Sequence, residues 1–148
     1  MSSLSEFARR MSVRADNVPR EVNKVKRQAA LAVDQAVVLG TPVDTGTARS
    51  NWIVSLDEPT DRTQGAYVPL EGGDMGERSN AKAALAQGQG AIAQSQPEQD
   101  IHITNNLDYI VPLNEGSSAQ APAAFVEEAV NAGVNAVKRA KVDTGKRM

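Results

Sequence analysis

The tripeptide Asp-Thr-Gly occurs twice in this sequence, as Asp44-Thr45-Gly46 and as Asp143-Thr144-Gly145. It is the signature of aspartic proteases, in which two carboxyl groups held close together share one proton. Two copies in one chain, or one copy in each subunit of a dimer, could form such a pair. The context opposes this interpretation, because the first copy follows a long predicted helix and the second lies in a basic tail.

A turn explains the first copy better than a protease strand does. Pro42 fixes its own φ, Val43 follows it, Asp44 can accept hydrogen bonds from nearby backbone N–H groups, and Gly46 permits a positive φ. We therefore expect residues 42–46 to form a structural turn without a catalytic residue.

Other residue types that support chemistry are few. His102 is the only histidine, and it alternates with Ile101 and Ile103, which predicts the solvent face of a strand. The chain has no cysteine, and no His/carboxylate cluster has the spacing of a metal site. Gly88-Gln89-Gly90 is half of a nucleotide-binding fingerprint and follows a helix instead of a strand. We predict no catalytic, cofactor-binding or metal site, and no cofactor.

Length and charge bound the remaining possibilities. A chain of 148 residues fits one domain that buries roughly 70% of the surface of its unfolded form. The absence of cysteine and of an apolar leader predicts a reducing, unsecreted setting, and no stretch approaches the ~20 apolar residues of a membrane span. Residues 1–49 carry eight basic against five acidic residues (+3), residues 50–137 three against twelve (−9), and residues 138–148 five against one (+4). This polarity favours head-to-tail contacts between copies, or a face that repels polyanions.

Three helices are predicted from apolar periodicity. The first, of about 22 residues, begins at Asn17 and Pro19 and ends before Gly40. Leu31 and Val38 fall on the face opposite its core stripe, which comprises Val22, Val25, Ala29, Ala32, Val33, Ala36 and Val37. A short Ala-rich helix over 80–94 follows a cap at Ser79, and the last helix opens at Pro122 and runs to Val137.

Strands are predicted over residues 51–56, with Trp52 in the core, and over a hairpin of 101–103 and 107–113 that turns at Asn105-Asn106. Residues 66–68 are a possible edge strand. The order of elements predicts an α+β fold in which an antiparallel sheet of three to four strands packs against two long helices and a shorter middle helix. Phe125, Trp52, Val126 and Val130 are expected in one core.

We expect a single domain over 1–148, with an N-terminal arm (1–16), a core (17–137) and a basic tail (138–148). Within the core, the Gly-rich residues 57–78 are expected to project and to become ordered against a neighbour, since loops of that length are uncommon in compact domains. Tyr67 and Met75 of this loop, with Leu31 and Val38, are the predicted subunit interface.

Two segments together resemble small virion proteins of tailed bacteriophages, the head-tail joining or tail-terminator family of neck and tail-completion proteins. In that family a long helix leads to a Pro-Val-Asp-Thr-Gly turn, an Arg and an aromatic strand, and a later Tyr precedes Glu-Gly, a helix-opening Pro and a large apolar residue. The first segment matches at Pro42, Val43, Asp44, Thr45, Gly46, Arg49, Asn51 and Trp52, and the second at Tyr109, Leu113, Glu115, Gly116, Ser117, Gln120, Ala121, Pro122 and Phe125. The resemblance covers about residues 17–137, and the long 57–78 loop departs from it.

The resemblance implies a structural virion protein that forms a homo-oligomeric ring, with a hexamer favoured, at the head-tail interface. Its partners would be other copies, the neighbouring neck or connector and tail proteins, and DNA that passes through the channel without sequence-specific binding. It would act in the virion after synthesis in the host bacterial cytoplasm, without a membrane. Two alternatives stay open: a dimeric aspartic protease using Asp44-Thr45-Gly46, and a host-directed phage binding module.

Overall fold

The computed structural model describes residues 3–42, 46–68, 74–116 and 124–140, apart from the side chains of residues 3, 13–17 and 74–77. Within these ranges the elements are α1 (Ser3–Gly40), α2 (Thr47–Ser50), β1 (Ile53–Leu56), α3 (Asp74–Ala93), β2 (Ile101–Thr104), α4 (Ile110–Asn114) and α5 (Phe125–Arg139). The prediction of an α+β fold is confirmed. The predicted turn at 43–45, the opening of the last helix at Pro122, and most of the basic tail lie outside the described residues.

The first helix is much longer than the sequence suggested. α1 has 38 residues and contains Pro19, so the predicted start at Asn17 and Pro19 is wrong, and residues 3–16 of the predicted arm are helical. At 1.5 Å per residue the helix is about 57 Å long. Proline is favoured at helix starts, and within a helix it removes one backbone donor and crowds the carbonyl four residues before it. The apolar residues Leu4, Phe7, Met11 and Val18 nevertheless keep helical spacing up to Pro19, and Val22 continues it beyond.

α1 is the centre of the fold because it is covered on two sides. On one side α5 approaches so closely that a Cβ on Gly133 would lie 2.4 Å from Val33 Cγ2. On the other side α3 and the sheet cover it, and a Cβ on Gly88 would lie 2.1 Å from Asp34 Oδ2. Both glycines are therefore required for close helix packing.

Coverage on two sides explains why the predicted core stripe is only partly correct, since Val37 is buried in the main core and Val33 and Ala36 pack against it. Val38, predicted to be exposed, is 0% exposed and belongs to the main core with Val37 and Trp52. Val22, predicted to be in the core, is exposed. A helix packed between two partners buries two stripes, so a search for a single stripe assigns the residues between them incorrectly.

The sheet has two antiparallel strands, in which Val54 of β1 pairs with Ile103 of β2. The predicted third or fourth strand does not occur in the described residues. On the outer edge of β1, the Gln87 side chain accepts from Val54 N (3.0 Å) and donates to Val54 O (2.9 Å). This amide from α3 takes the place that a third strand would occupy.

The predicted hairpin is also wrong, since residues 107–113 lead into α4 and do not form a strand. A two-residue hairpin turn of the Asn-Gly kind needs positive φ at both central residues, and neither Asn105 nor Asn106 has it. Their side chains are used elsewhere: Asn105 Nδ2 donates to Ala48 O (3.0 Å), and Asn106 Nδ2 donates to Thr60 O (2.8 Å).

Residues 57–68 lie against their own chain, which contradicts the prediction that the whole 57–78 segment projects. Gln64 N donates to Asn51 Oδ1 (2.8 Å), and Asn51 Nδ2 donates back to Gln64 O (2.6 Å). In the same way Val68 N donates to Asn80 Oδ1 (2.7 Å), and Asn80 Nδ2 donates to Val68 O (2.7 Å). Residues 66–68 form no strand, and from Asp74 onward the segment belongs to α3, which contains Ser79 in its interior.

The main core confirms most of the predicted cluster. Phe125 and Trp52 are buried in one cluster, and Val126 packs against it. Val130 is wrong, because it is exposed. The buried line of α5 runs through Phe125, Ala129 and Gly133, so Val130 lies one position to the side of it.

Candidate functional site

The residues of the first family-like segment hold the C-terminal end of α1. A helix ends with backbone carbonyls that have no partner within the helix. Here Arg49 donates from Nε to Thr41 O (3.1 Å) and from Nη2 to Leu39 O (2.9 Å). The Trp52 indole N–H donates to Thr41 Oγ1 (2.7 Å), and that hydroxyl in turn donates to Val37 O. A buried guanidinium near a helix C-terminus also complements the helix dipole.

The turn itself is only partly described. Pro42 is buried, and Gly46 has φ 81° and precedes α2, as the turn prediction requires. Ser50 N donates to Gly46 O (3.1 Å). Val43, Asp44 and Thr45 lie outside the described residues, so the role of Asp44 stays a prediction.

The second family-like segment leads into α5. Asn114 O accepts from Ala124 N (2.6 Å), and Asn114 Oδ1 accepts from Val126 N (2.9 Å). Asn114 Nδ2 also donates to both carboxylate oxygens of Glu127. These bonds satisfy N–H groups at the start of α5, as a cap does.

The matched residues around Asn114 are mostly at the surface. Tyr109 and Glu115 are exposed and flank α4, and Gly116 has φ 99°. Pro122 lies outside the described residues. Phe125 is buried, and its Cβ lies 3.2 Å from where a Cβ on Gly40 would be.

The structure therefore brings the two segments together at one place, the end of α1. Trp52 from the first segment and Phe125 from the second share a core with Val37, and Ile110 and Leu113 pack against it. The matched residues with described side chains form a structural joint. Of these residues, Arg49 also lines a depression of about 490 Å³, together with Arg78 and Lys82.

One buried carboxyl group departs from ordinary behaviour. Asp34 is 1% exposed, and its Oδ1 has no hydrogen-bond partner among the described residues. Burial raises the pKa of Asp34 from 3.8 to about 7. A perturbed carboxyl suggests catalysis when it faces a cleft, but Asp34 is buried in the interior, where it packs against Gly88. We interpret it as a structural group that lowers stability when ionised.

The described residues contain no group of three or more His, Cys, Asp or Glu residues that could hold a metal ion. His102 is half-buried, and its Nε2 lies 3.0 Å from Asp57 O. Among the described residues, no helix is long and apolar enough to cross a membrane.

The predicted subunit interface is partly accessible. Leu31 and Tyr67 are exposed, as predicted. Val38 is buried in the core and cannot contact another subunit. Met75 lies in α3, and its side chain is outside the described part of the chain.

Two other apolar surfaces are exposed. The first, here called the arm, is residues 3–22 of α1, where Leu4, Phe7, Met11, Val18 and Val22 are exposed. The second, called the groove, is a depression of about 660 Å³ between α1, α5 and β2. Its apolar walls include Ile101, Ile103, Val130, Val134 and Val137.

Sequence reasoning missed the side chains that organise the site. Asn51, Asn80 and Gln87 each bind both the backbone N–H and the backbone C=O of one distant residue, and Asn114 caps a helix that begins eleven residues later. Their sequence signal is only the presence of amides within apolar or Ala-rich stretches.

No protein-family model, no curated protein and no solved structure matches the chain significantly.

Proposed function

We propose that this chain is a non-enzymatic structural protein of a tailed-phage virion, which assembles as a homo-oligomeric ring at the head-tail interface. The observation that carries the proposal is the use of the family-like residues. Arg49 and Trp52 hold the end of α1, and Phe125 begins α5 in the same core. A motif that builds a joint between helices fits a shared architecture better than a shared reaction.

Charge supports the passage of DNA without specific binding. The segment 50–137 carries three basic and twelve acidic residues, so its surface repels phosphates. A channel wall with few cations releases few counterions on contact with DNA and holds it weakly. The proposed partners are further copies of the chain, neighbouring neck or connector proteins, and tail proteins. The ring is a hexamer by resemblance.

Leu31 and Tyr67 remain candidate contacts between subunits, since both are exposed. Val38 is withdrawn from that interface because it is buried. The sheet of three to four strands predicted from the order of elements would require further pairing beyond β1 and β2, and β1 is covered at its outer edge by Gln87.

A stop codon in the gene of the parent phage tests the proposal. We expect filled heads and complete tails that fail to join, seen by electron microscopy, and rescue by the wild-type chain supplied in trans. Complete infectious particles without the protein would contradict the virion role and favour a host-directed binding module.

The Asp44→Asn variant separates the structural role from proteolysis. Asparagine keeps an oxygen that accepts hydrogen bonds in the turn, so we expect it to rescue joining. It removes the carboxylate that a protease pair requires. A folded Asp44→Asn chain that fails to rescue, together with peptide cleavage by the purified wild-type protein, would support the protease alternative instead.

A further inference from the structure

The arm presents an apolar stripe that its own chain leaves exposed. Leu4, Phe7, Met11, Val18 and Val22 are spaced three, four, seven and four residues apart, which places them along one side of a helix. Phe7 is 56% exposed. At the C-terminal end of the stripe, the neighbouring Asn23 is buried and its Nδ2 donates to Ser95 O (3.1 Å). The stripe runs about 27 Å along the arm.

The groove is a second exposed surface with apolar walls. Val130, Val134 and Val137 form a ridge on α5, and Val134 is 45% exposed. Ile101 and Ile103 of β2 form the opposite wall. A row of apolar side chains on a helix fits such a depression, as in helix-in-groove recognition.

Charges beside the two surfaces are also complementary. Arg9 and Arg10 are exposed between Phe7 and Met11 on the arm. At the β2 end of the groove, the exposed residue Asp100 lines the depression. Asp57 is a second exposed acidic residue beside Asp100, because Asp57 N donates to Asp100 O (2.8 Å). Lys26 also lines the groove, but its ammonium group donates to the backbone oxygens of Gln96, Pro97 and Gln99.

We infer that the arm of one copy docks in the groove of a second copy. The same chain carries an apolar arm with two exposed arginines and an apolar groove with two exposed aspartates at its β2 end, and the arm continues α1 as one helix. Two copies can each dock their arm in the groove of the other, which gives a closed pair. Alternatively, each copy can dock its arm in the groove of the next copy, which gives a ring. The inference goes beyond the proposed virion role and does not depend on it.

Mixing two defective variants tests the inference by sedimentation of the purified full chain. Phe7→Glu damages the arm and Val134→Glu damages the groove. We expect each to lower the association constant by at least about tenfold, since each buries a charge in the contact. An equal mixture should form pairs, because the arm of the groove variant meets the intact groove of the arm variant. Val111→Glu, on an exposed residue outside both surfaces, should associate as the wild type does.

Several results would overturn the inference. A Val134→Glu chain that associates like the wild type would show contact between arms alone. A mixture that stays monomeric would show that the two surfaces do not meet. A wild-type chain that is monomeric at its highest soluble concentration would rule out the contact altogether.

Cross-linking gives a second measurement that does not depend on charged substitutions. The chain has no cysteine, so introduced thiols are the only ones present. Phe7→Cys chains mixed with Val134→Cys chains should form mixed disulfides on mild oxidation. Phe7→Cys mixed with Val111→Cys should not, and equal yields in the two mixtures would contradict the arm-in-groove contact.

Discussion

Replacing Asp34 by asparagine should stabilise the protein at neutral and alkaline pH. Asp34 is 1% exposed, its Oδ1 has no hydrogen-bond partner in the described part of the chain, and Gly88 packs directly against it. Asparagine has almost the same shape and stays neutral at every pH. The substitution therefore removes the cost of ionisation with little change in packing.

The magnitude follows from the pKa of Asp34, which burial raises from 3.8 to about 7. Below pH 3.8 the carboxyl is protonated in both the folded and the unfolded chain, and it adds no penalty. As the pH rises toward 7, the unfolded chain loses this proton first, so the folded state loses stability by about 1.4 kcal/mol per pH unit. Across the whole interval the penalty reaches about 4 kcal/mol, and it stays constant at higher pH. This is a large part of the ~5–15 kcal/mol that stabilises a domain.

Urea unfolding of the wild type and of Asp34→Asn at pH 4 and pH 8 measures this penalty. The difference in unfolding free energy between the two chains should be larger at pH 8 by about 4 kcal/mol. Asp61→Asn removes an exposed carboxyl in residues 57–68 and controls for the loss of one charge. If the advantage of Asp34→Asn is the same at both pH values, burial does not hold the carboxyl in its neutral form.

Three further substitutions test the packing of the fold. Phe125→Ala should lower the unfolding free energy by about 3–5 kcal/mol in thermal or urea unfolding, because Phe125 is buried in the main core, and a melting temperature close to wild type would place Phe125 outside it. Gly88→Ala should lower the unfolding free energy by about 1–3 kcal/mol, since the added Cβ would lie 2.1 Å from Asp34 Oδ2. This loss should be smaller in a chain that also carries Asp34→Ala, and equal losses in both backgrounds would contradict the contact. Asn80→Ala removes both bonds to Val68 and should cost about 1–3 kcal/mol while speeding proteolysis within residues 57–68; unchanged cleavage would show that this segment is held elsewhere.

The predicted elements that the structure confirms are those with strong local periodicity. The long helix, the strand at Trp52 and the last helix each repeat apolar residues at the spacing of their own secondary structure. The sequence also predicted that Trp52 and Phe125 share a core, since each is a large apolar residue at the inward position of its element.

The errors come from features that depend on distant contacts. Proline is common in the first turn of a helix, so the sequence predicts a helix start at Pro19. In the structure Pro19 lies within α1. The asparagines at 105 and 106 resemble a hairpin turn, but Asn105 and Asn106 bond to Ala48 and Thr60. Gln87 replaces a strand at the edge of β1, which a pattern of apolar residues cannot reveal.

From the sequence, the candidate site could be predicted only as a structural contact at the end of the long helix. The turn residues Pro42 and Gly46 predicted an end to the long helix. In the structure α1 ends at Gly40, Pro42 follows it, and Gly46 directly precedes α2. The sequence predicted an N-terminal arm over residues 1–16, but not that it continues α1 as a helix with an exposed apolar stripe, and it did not predict the groove. The arm was hidden by the wrong start of α1, and the groove forms only when α5 lies beside β2.

Quantitative mass spectrometry of purified virions tests the central proposal most directly. Counted against the other structural proteins of the same particles, the chain should be present at the copy number of one complete ring, six if the hexamer is correct by resemblance. Particles that are complete and infectious but contain none of this protein, or a single copy, would contradict a ring at the head-tail interface.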